Sequence, residues 1–544
     1  MKTKIFKFLV ALGVVTSFTG CDFLDEESYG STTEIFKEEN GIQALVNQSY
    51  TKINNLYGGD SQWFYLTEQG TDLWLRGGNN SDTQACDYNG LNATSSTVAW
   101  LWNHCYKGIA NINMFFETID DTPFAKEEEK NICKAEMLTM RSMFLWIITE
   151  TWGDSYLPMS TDETEGMEAR RSPRSDFYRE IISGLEEALE LLPDTRTKIY
   201  GKIDAPTVKA FLSRMYLYDE QFDKAEQLAS EVIDGSYGYE LSPSLKDLWD
   251  DSKRNDEFIW TTEFVEDSGF RQSSWVWRMH AMFIDRYPGL QTMLHYTGYG
   301  SCISMPSLYY INLFNHDADL RWQELHQTVW LYNDAGDDTS MFPEMQELYV
   351  DTAFYLSVKP FTPADRQRMK TRYTAFDLTD MYDEQGVPTD RKTFIGMTKF
   401  YDHTRPGDVS TISDRNYPVI RLGELYLIRA EAKLRGANHD VKGALKDITE
   451  LRKRCIKPGY EEQMALTEED MTLDFILDER ARELGAEWQR WLDLKRLGKL
   501  MDHVRAYNPD ASEFLKDYHL LRPIPQVQFD GMPDWTTLGQ NPGY

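Results

Sequence analysis

Nothing in this chain spells a common catalytic motif. HExxH, GxSxG, GxGxxG and Walker sequences are absent, which removes the usual zinc-hydrolase, serine-hydrolase, dinucleotide and P-loop readings. Only nine histidines occur, and they are scattered. The cysteines are Cys21, Cys86, Cys105, Cys133, Cys302 and Cys455, with no CxxC spacing. A chain this long does not depend on disulfide staples, so mostly free, buried thiols are expected. Basic residues are scarce: 57 Lys and Arg face 88 Asp and Glu, for a net charge of −31. Such a polyanion repels nucleic acid and anionic headgroups. Beyond the first twenty residues no stretch is apolar and long enough to cross a bilayer.

What is abundant is aromatic side chain. Fifteen Trp and 30 Tyr exceed what a core alone needs, so some rings are expected on a recognition surface. The 544 residues exceed one usual core and predict one large helical assembly or two to three packed subdomains. Lys2, Lys4 and Lys7, then the apolar Phe8 to Val15, read as a signal peptide over residues 1–20. Ser17-Phe18-Thr19-Gly20-Cys21 resembles a lipobox, with Phe18 in place of the usual Leu. Cys21 is therefore the expected lipidated residue, anchoring a chain that has no other spanning segment. The alternative is an ordinary secretory signal with an incidental Cys.

Helical periodicity dominates two stretches, about 35–235 and 415–500. Val208, Phe211, Leu212 and Met215 share one helix face, and Ala225, Leu228, Ala229, Val232 and Ile233 repeat the spacing after a polar break at Asp219 to Asp223. Two short helices with a tight turn and small crossing residues make a tetratricopeptide-like hairpin. Leu422, Leu425, Ile428 and Ala432, then Val441, Ala444, Leu445, Ile448 and Leu451, predict another. A single hairpin cannot bury its own apolar face, so several must stack. The middle, about 236–415, is rich in Trp, Tyr, Gly and Pro and has poor periodicity. Its Phe258-Ile259-Trp260 predicts a short buried strand. The last stretch, Leu521 to Tyr544, holds four prolines and is expected to lie extended over the surface.

Several segments, in this order, resemble the SusD/RagB family over residues 21–544. They are Lys134-Ala135-Glu136 through Trp152-Gly153-Asp154 to Pro158, Gly201 to Leu241, and Asn255 to Trp260. They continue with Tyr417-Pro418-Val419-Ile420-Arg421 to Ala432, Glu479-Arg480 to Leu484, Arg490-Trp491 to Arg496, and Pro523-Ile524-Pro525 to Gln540-Asn541-Pro542-Gly543-Tyr544. The resemblance implies a mainly α fold with four tetratricopeptide-like hairpins packed against an irregular region. It implies a non-enzymatic lipoprotein of the outer membrane that captures oligosaccharide or polysaccharide and delivers it to a SusC-like TonB-dependent transporter. The alternatives are a peptide binder of a RagB-like importer, or a transporter lid with little ligand affinity. Asp22, Asp25, Glu26 and Glu27 resemble the acidic tag that sends some lipoproteins to the outer face.

A pyranose packs its C–H face on an exposed ring while Asp, Asn or Arg hydrogen-bonds its hydroxyls. Two regions offer that mix. The resemblance carries ligand contact to Asp72, Arg76, Trp100 and Asn103, and Trp74 is added on its chemistry. The second region holds Trp275, Trp277, Tyr296 and Tyr299, with Arg278 beside them; positions 275 and 277 share a face only if extended. Trp102, Trp488 and Trp491 are expected in the core. Glu479, Arg480 and Glu483 are expected in scaffold ion pairs. No catalytic residue, metal ligand or cofactor is assigned; Asn333 to Asp338 is an oxygen-rich turn read as solvated rather than as a Ca²⁺ site.

Overall fold

The computed structural model describes residues 38–58, 62–80, 82–160, 168–250, 255–264, 274–292, 300–334, 348, 350–402 and 413–544. Cys21 and the signal segment lie outside the described residues.

A chain of helices forms the scaffold: α1 (Glu39–Tyr57), α2 (Ser96–Thr118), α3 (Glu127–Trp152), α4 (Arg174–Leu191), α5 (Ala205–Tyr218), α6 (Phe222–Ile233), α7 (Leu422–Arg435), α8 (Val441–Arg452), α9 (Leu473–Leu484) and α10 (Arg490–Arg496). Each of α1 to α7 packs on the next, and α9 joins α7. The four expected hairpins are thus α1–α2, α3–α4, α5–α6 and α7–α8. Local chemistry sets their ends. Asp204 accepts a hydrogen bond from the Thr207 N–H and Pro206 occupies the first turn of α5, where a missing N–H costs nothing. Asp440 caps α8 in the same way through the Gly443 N–H. Ala225 and Ala229 of α6 are buried, and such small side chains let neighbouring helices approach closely.

The middle region contributes short strands: β1 (Trp74–Arg76), β2 (Phe258–Thr261), β3 (Ser304–Pro306), β4 (His326–Gln327), β5 (Val329–Leu331), β6 (Thr352–Ser357), β7 (Thr374–Asp377), β8 (Gly396–Met397) and β9 (Pro418–Arg421). β1 pairs antiparallel with β3, β2 with β9 and β4 with β8, and β5-β6-β7 make a small sheet. The predicted Phe258-Ile259-Trp260 strand is β2, and its partner β9 runs straight into α7. The C-terminal stretch departs from the expected extended course. It folds a helix at Gln526–Asp530 and a 3₁₀ turn at Trp535–Thr537, and its backbone is tied down by Trp152 Nε1 donating to Pro523 O and Asn541 Nδ2 donating to Trp152 O, both at 2.9 Å.

The middle region is fastened to the helices by buried charge. Arg421 spends all five guanidinium protons: on Glu487 (two bonds at 2.8 Å), Glu257 (3.0 Å), the Glu483 carboxylate (2.7 Å) and the Glu483 carbonyl (2.8 Å). Arg454 shares Glu257 and Glu483, and Arg321 bridges Glu479, Glu483 and Asp319. Glu479, Arg480 and Glu483 are therefore scaffold residues, but they do not pair with each other; apart from Arg482, which pairs with Glu479 within α9, their ion-pair partners come from other elements. Arg480 pairs with Asp493 of α10. Cys86, Cys105, Cys133, Cys302 and Cys455 are free and buried.

Candidate ligand-binding site

The face around the start of α2 is built from its first turns. Ser95 caps the helix through the Val98 N–H. Thr97 donates to Gln62 Oε1 at 2.9 Å and to the Asp82 carboxylate. Trp100 is half-buried and stacks on His104, with ring centroids 4.6 Å apart and planes 11° from parallel. His104 Nε2 lies 2.8 Å from the Lys52 carbonyl oxygen, and burial pushes the imidazole down to about 4, so it is neutral at pH 7. Trp100 thus rests on an uncharged plate, with part of its indole left at the surface. Asn103, also half-buried, stands three residues on.

A hydrogen-bonded path leads from this turn to the second region. Asn80 Oδ1 accepts from the Asp82 N–H at 2.9 Å. Gly77, Gly78 and Asn79 donate their N–H groups to Ile303, Arg391 and Cys302 carbonyls at 2.9 to 3.0 Å. A Cβ at Gly77 would sit 2.2 Å from the Cys302 carbonyl oxygen, so only glycine fits that approach. Ser301 in turn donates to the Arg278 carbonyl, and the Arg278 guanidinium lies 4.6 Å from the Trp275 ring centroid. The short helix Trp63–Thr67 bridges both sides. Gln62 before it meets Thr97, and Phe64 meets His280 edge-on at 5.5 Å. Trp100, Asn103, Arg76 and Trp275 are all half-buried, as are Gln62 and Tyr65, and these contacts link the segments that carry them. Arg76 is held by its backbone, its N–H donating to Asp510 Oδ2 at 3.2 Å and its carbonyl accepting from Arg391 at 2.8 Å.

Three expected ligand contacts are scaffold instead. Asp72 is fully buried, accepting two bonds from Arg490 at 2.6 and 2.8 Å and one from His503 at 2.9 Å. Burial alone would raise its carboxyl, but Arg490 and His503 outweigh that and hold it below the usual carboxylate range. Trp74 is 1% exposed, wedged against His280 (4.3 Å) and Tyr310 (4.9 Å), because the β1–β3 pairing turns it inward. Trp277 is 2% exposed. Val276–Met279 is helical rather than extended, so Trp275 and Trp277 point apart. Trp102, Trp488 and Trp491 are buried. Tyr296 and Tyr299 lie outside the described residues, as do residues 335–338 of the oxygen-rich turn. In that turn Asn333 spends its amide on the Gln291 backbone.

Sequence reasoning did not single out Gln62 and Tyr65, nor the most exposed indole among the described residues, Trp535 at 54%. Arg278 was signalled as a polar side chain beside the rings of the second region; the others carried no signal, since exposure depends on what packs above them. Two hollows lie away from this face. One of about 320 Å³ sits between α1, α3 and residues 192–204, and one of about 870 Å³ lies between α3, α10 and the C-terminal stretch.

His280 offers a pH test of the packing beneath the site. Its buried ring is pushed down to about 3, so the native protein holds it neutral while the unfolded chain protonates near pH 6.5. Stability from this group is therefore lost as pH falls below about 6.5, by about 2 kcal/mol at pH 5. His280→Leu should lose about 2 kcal/mol less between pH 7 and pH 5 than the parent in urea titrations; equal losses would contradict the neutral ring.

A family model described as SusD family matches residues 256–544, and one described as starch-binding, associating with outer membrane, matches residues 22–217. The chain is 23% identical to a SusD-like protein of Formosa agariphila over the full length of both. It is 22% identical to the starch-binding protein SusD of Bacteroides thetaiotaomicron, covering 83% of this chain and 79% of that one. Among solved structures, a laminarin-binding SusD-like protein superposes with a TM-score of 0.69 at 20% identity, over 93% of this chain and 100% of the other. Surface glycan-binding protein A of Bacteroides thetaiotaomicron, in complex with laminarihexaose, gives 0.66 at 19% identity, over 93% and 99%.

Proposed function

Because this chain belongs to the SusD family, we propose that it captures oligosaccharide or polysaccharide on the Trp100–Trp275 face and passes it uncleaved to a SusC-like TonB-dependent transporter. The observation that carries the reading is the half-exposed Trp100 indole lying flat on neutral His104, with the Asn103 amide beside it. A sugar ring needs that combination: an apolar plate with nearby hydrogen-bond donors and acceptors. Gln62, held by Thr97 on the first turn of the same helix, adds a further polar group. The starch- and laminarin-binding relatives support the same ligand class. In this reading Cys21 carries the lipid that tethers the protein to the outer membrane, with the binding face outside.

Calorimetry with laminari- and malto-oligosaccharides tests it. Trp100→Ala should weaken binding about tenfold, the order expected for one lost ring contact of about 1.4 kcal/mol. Unchanged affinity would remove Trp100 from the site. Binding to a peptide panel instead of sugars would favour a peptide importer, and silence from both would favour a lid. Cleaved sugar in the binding mixture would overturn the non-enzymatic reading. Mass spectrometry of the membrane-extracted protein should find acyl chains on Cys21.

A further inference from the structure

We propose that the hollow beside the Arg286–Asp390 pair is a second saccharide subsite, which takes a further ring of a glycan held on the Trp100–Trp275 face. This rests on the glycan-binding reading above. The hollow has a volume of about 310 Å³ and is lined by Arg286, Tyr287, Phe376, Asp380, Asp390 and Thr393. It combines a ring, a guanidinium and carboxylates, the set a pyranose requires.

Each part is held in place. Phe376 on β7 is half-buried, its ring 6.3 Å from Tyr287 and 5.9 Å from Phe354. Arg286 uses one nitrogen, Nη2, for three bonds: to Tyr287 Oη (2.8 Å), Asp390 Oδ2 (2.7 Å) and Thr393 Oγ1 (2.6 Å). Among the described residues Nε and Nη1 have no partner, so this fixed, partly exposed guanidinium keeps donors for a ligand. Asp390 and Asp380 remain partly exposed as acceptors, although Arg366 also pairs with Asp380.

Charge selects the ligand. Asp390 is paired by Arg286 and Asp380 by Arg366, so the hollow offers no uncompensated charge to an ion, whereas neutral hydroxyls find both donors and acceptors. Position selects the role. The loop carrying Asp390 and Thr393 also carries Arg391, whose carbonyl accepts from the Gly78 N–H at 2.9 Å and whose guanidinium donates to the Arg76 carbonyl. The hollow is thus tied through one loop to Arg76 and the Gly77–Asn80 turn, part of the first candidate region.

The test is calorimetry over length ladders of laminari-, malto- and xylo-oligosaccharides, with the parent, Arg286→Gln, Phe376→Leu and Trp100→Ala. Arg286→Gln and Phe376→Leu should weaken the longest oligomer bound by five- to tenfold and leave the shortest one bound unchanged. Trp100→Ala should weaken both. Thermal midpoints check that each variant is folded; Phe376→Leu keeps the apolar volume while removing the flat ring. Full affinity for long oligomers in both Arg286→Gln and Phe376→Leu overturns the subsite. Loss in those variants with none in Trp100→Ala keeps the subsite and overturns the primary face. A parent protein that binds no member of any ladder at millimolar sugar overturns both.

Discussion

Arg421→Met is expected to cost at least about 3–5 kcal/mol, or to prevent folding, because it leaves buried charge uncompensated. Three carboxylates, those of Glu257, Glu483 and Glu487, converge on this one guanidinium, and none is exposed enough for water to replace it. Arg454 and Lys399 would remain, but they already pair with Glu257, Glu483 and Glu487. Urea denaturation of the parent and variant would read the loss as a lower midpoint. Arg421→Lys should recover only part of it, since an ammonium has three donors in place of five and cannot reach two carboxylates in bidentate fashion. A variant as stable as the parent would mean that the network is not what fastens β9 and α7 to α9. Burial opposes ionisation of Glu483, but Arg454, Arg421 and Arg321 hold its carboxyl far below the usual range. Its contribution is therefore present above about pH 4.5 and lost as the pH falls further.

Trp74→Ala is expected to cost about 3–5 kcal/mol, the usual range for emptying the volume of a buried aromatic ring. Asp72→Asn should destabilise on a similar scale, because Arg490, buried beside it, loses its only carboxylate partner among the described residues. Both variants should show lowered thermal midpoints. Once saturated at a temperature where they are folded, they should bind oligosaccharide nearly as well as the parent. Trp100→Ala should show the opposite pattern, with weak binding and a midpoint shifted by a few degrees at most. If Trp74→Ala stayed as stable as the parent but lost its sugar, the assignment of Trp74 to the core would fail.

That contrast marks the limit of what sequence reveals about the site. Trp74 and Trp100 are both Trp beside polar residues, and one-dimensional spacing treats them alike. β1 is only three residues long, and its inward face is set by pairing with β3, some 230 residues away in the chain. No local pattern could carry that information. Trp275 and Trp277 share a face only on an extended backbone, and the helical turn Val276–Met279 separates them. The ion network was legible as charge on α9, since Glu479, Arg480 and Glu483 stand close together. Its partners Asp319, Arg321, Arg421 and Arg454 come from distant segments and could not be read.

The helical hairpins were determined by the sequence itself, because amphipathic spacing, caps and breaking turns act within a few residues of one another. Val208 to Met215 and Leu422 to Ala432 carry their own instructions, and the stack follows from the need to bury what each hairpin leaves exposed. The order of signature segments carried the family as well. Only the tertiary structure decided which rings remain open, which carboxylates are locked and where a guanidinium keeps free donors. Those properties belong to the side chains that fold over a residue from elsewhere, and solvent exposure is a sum over neighbours rather than a feature of the residue.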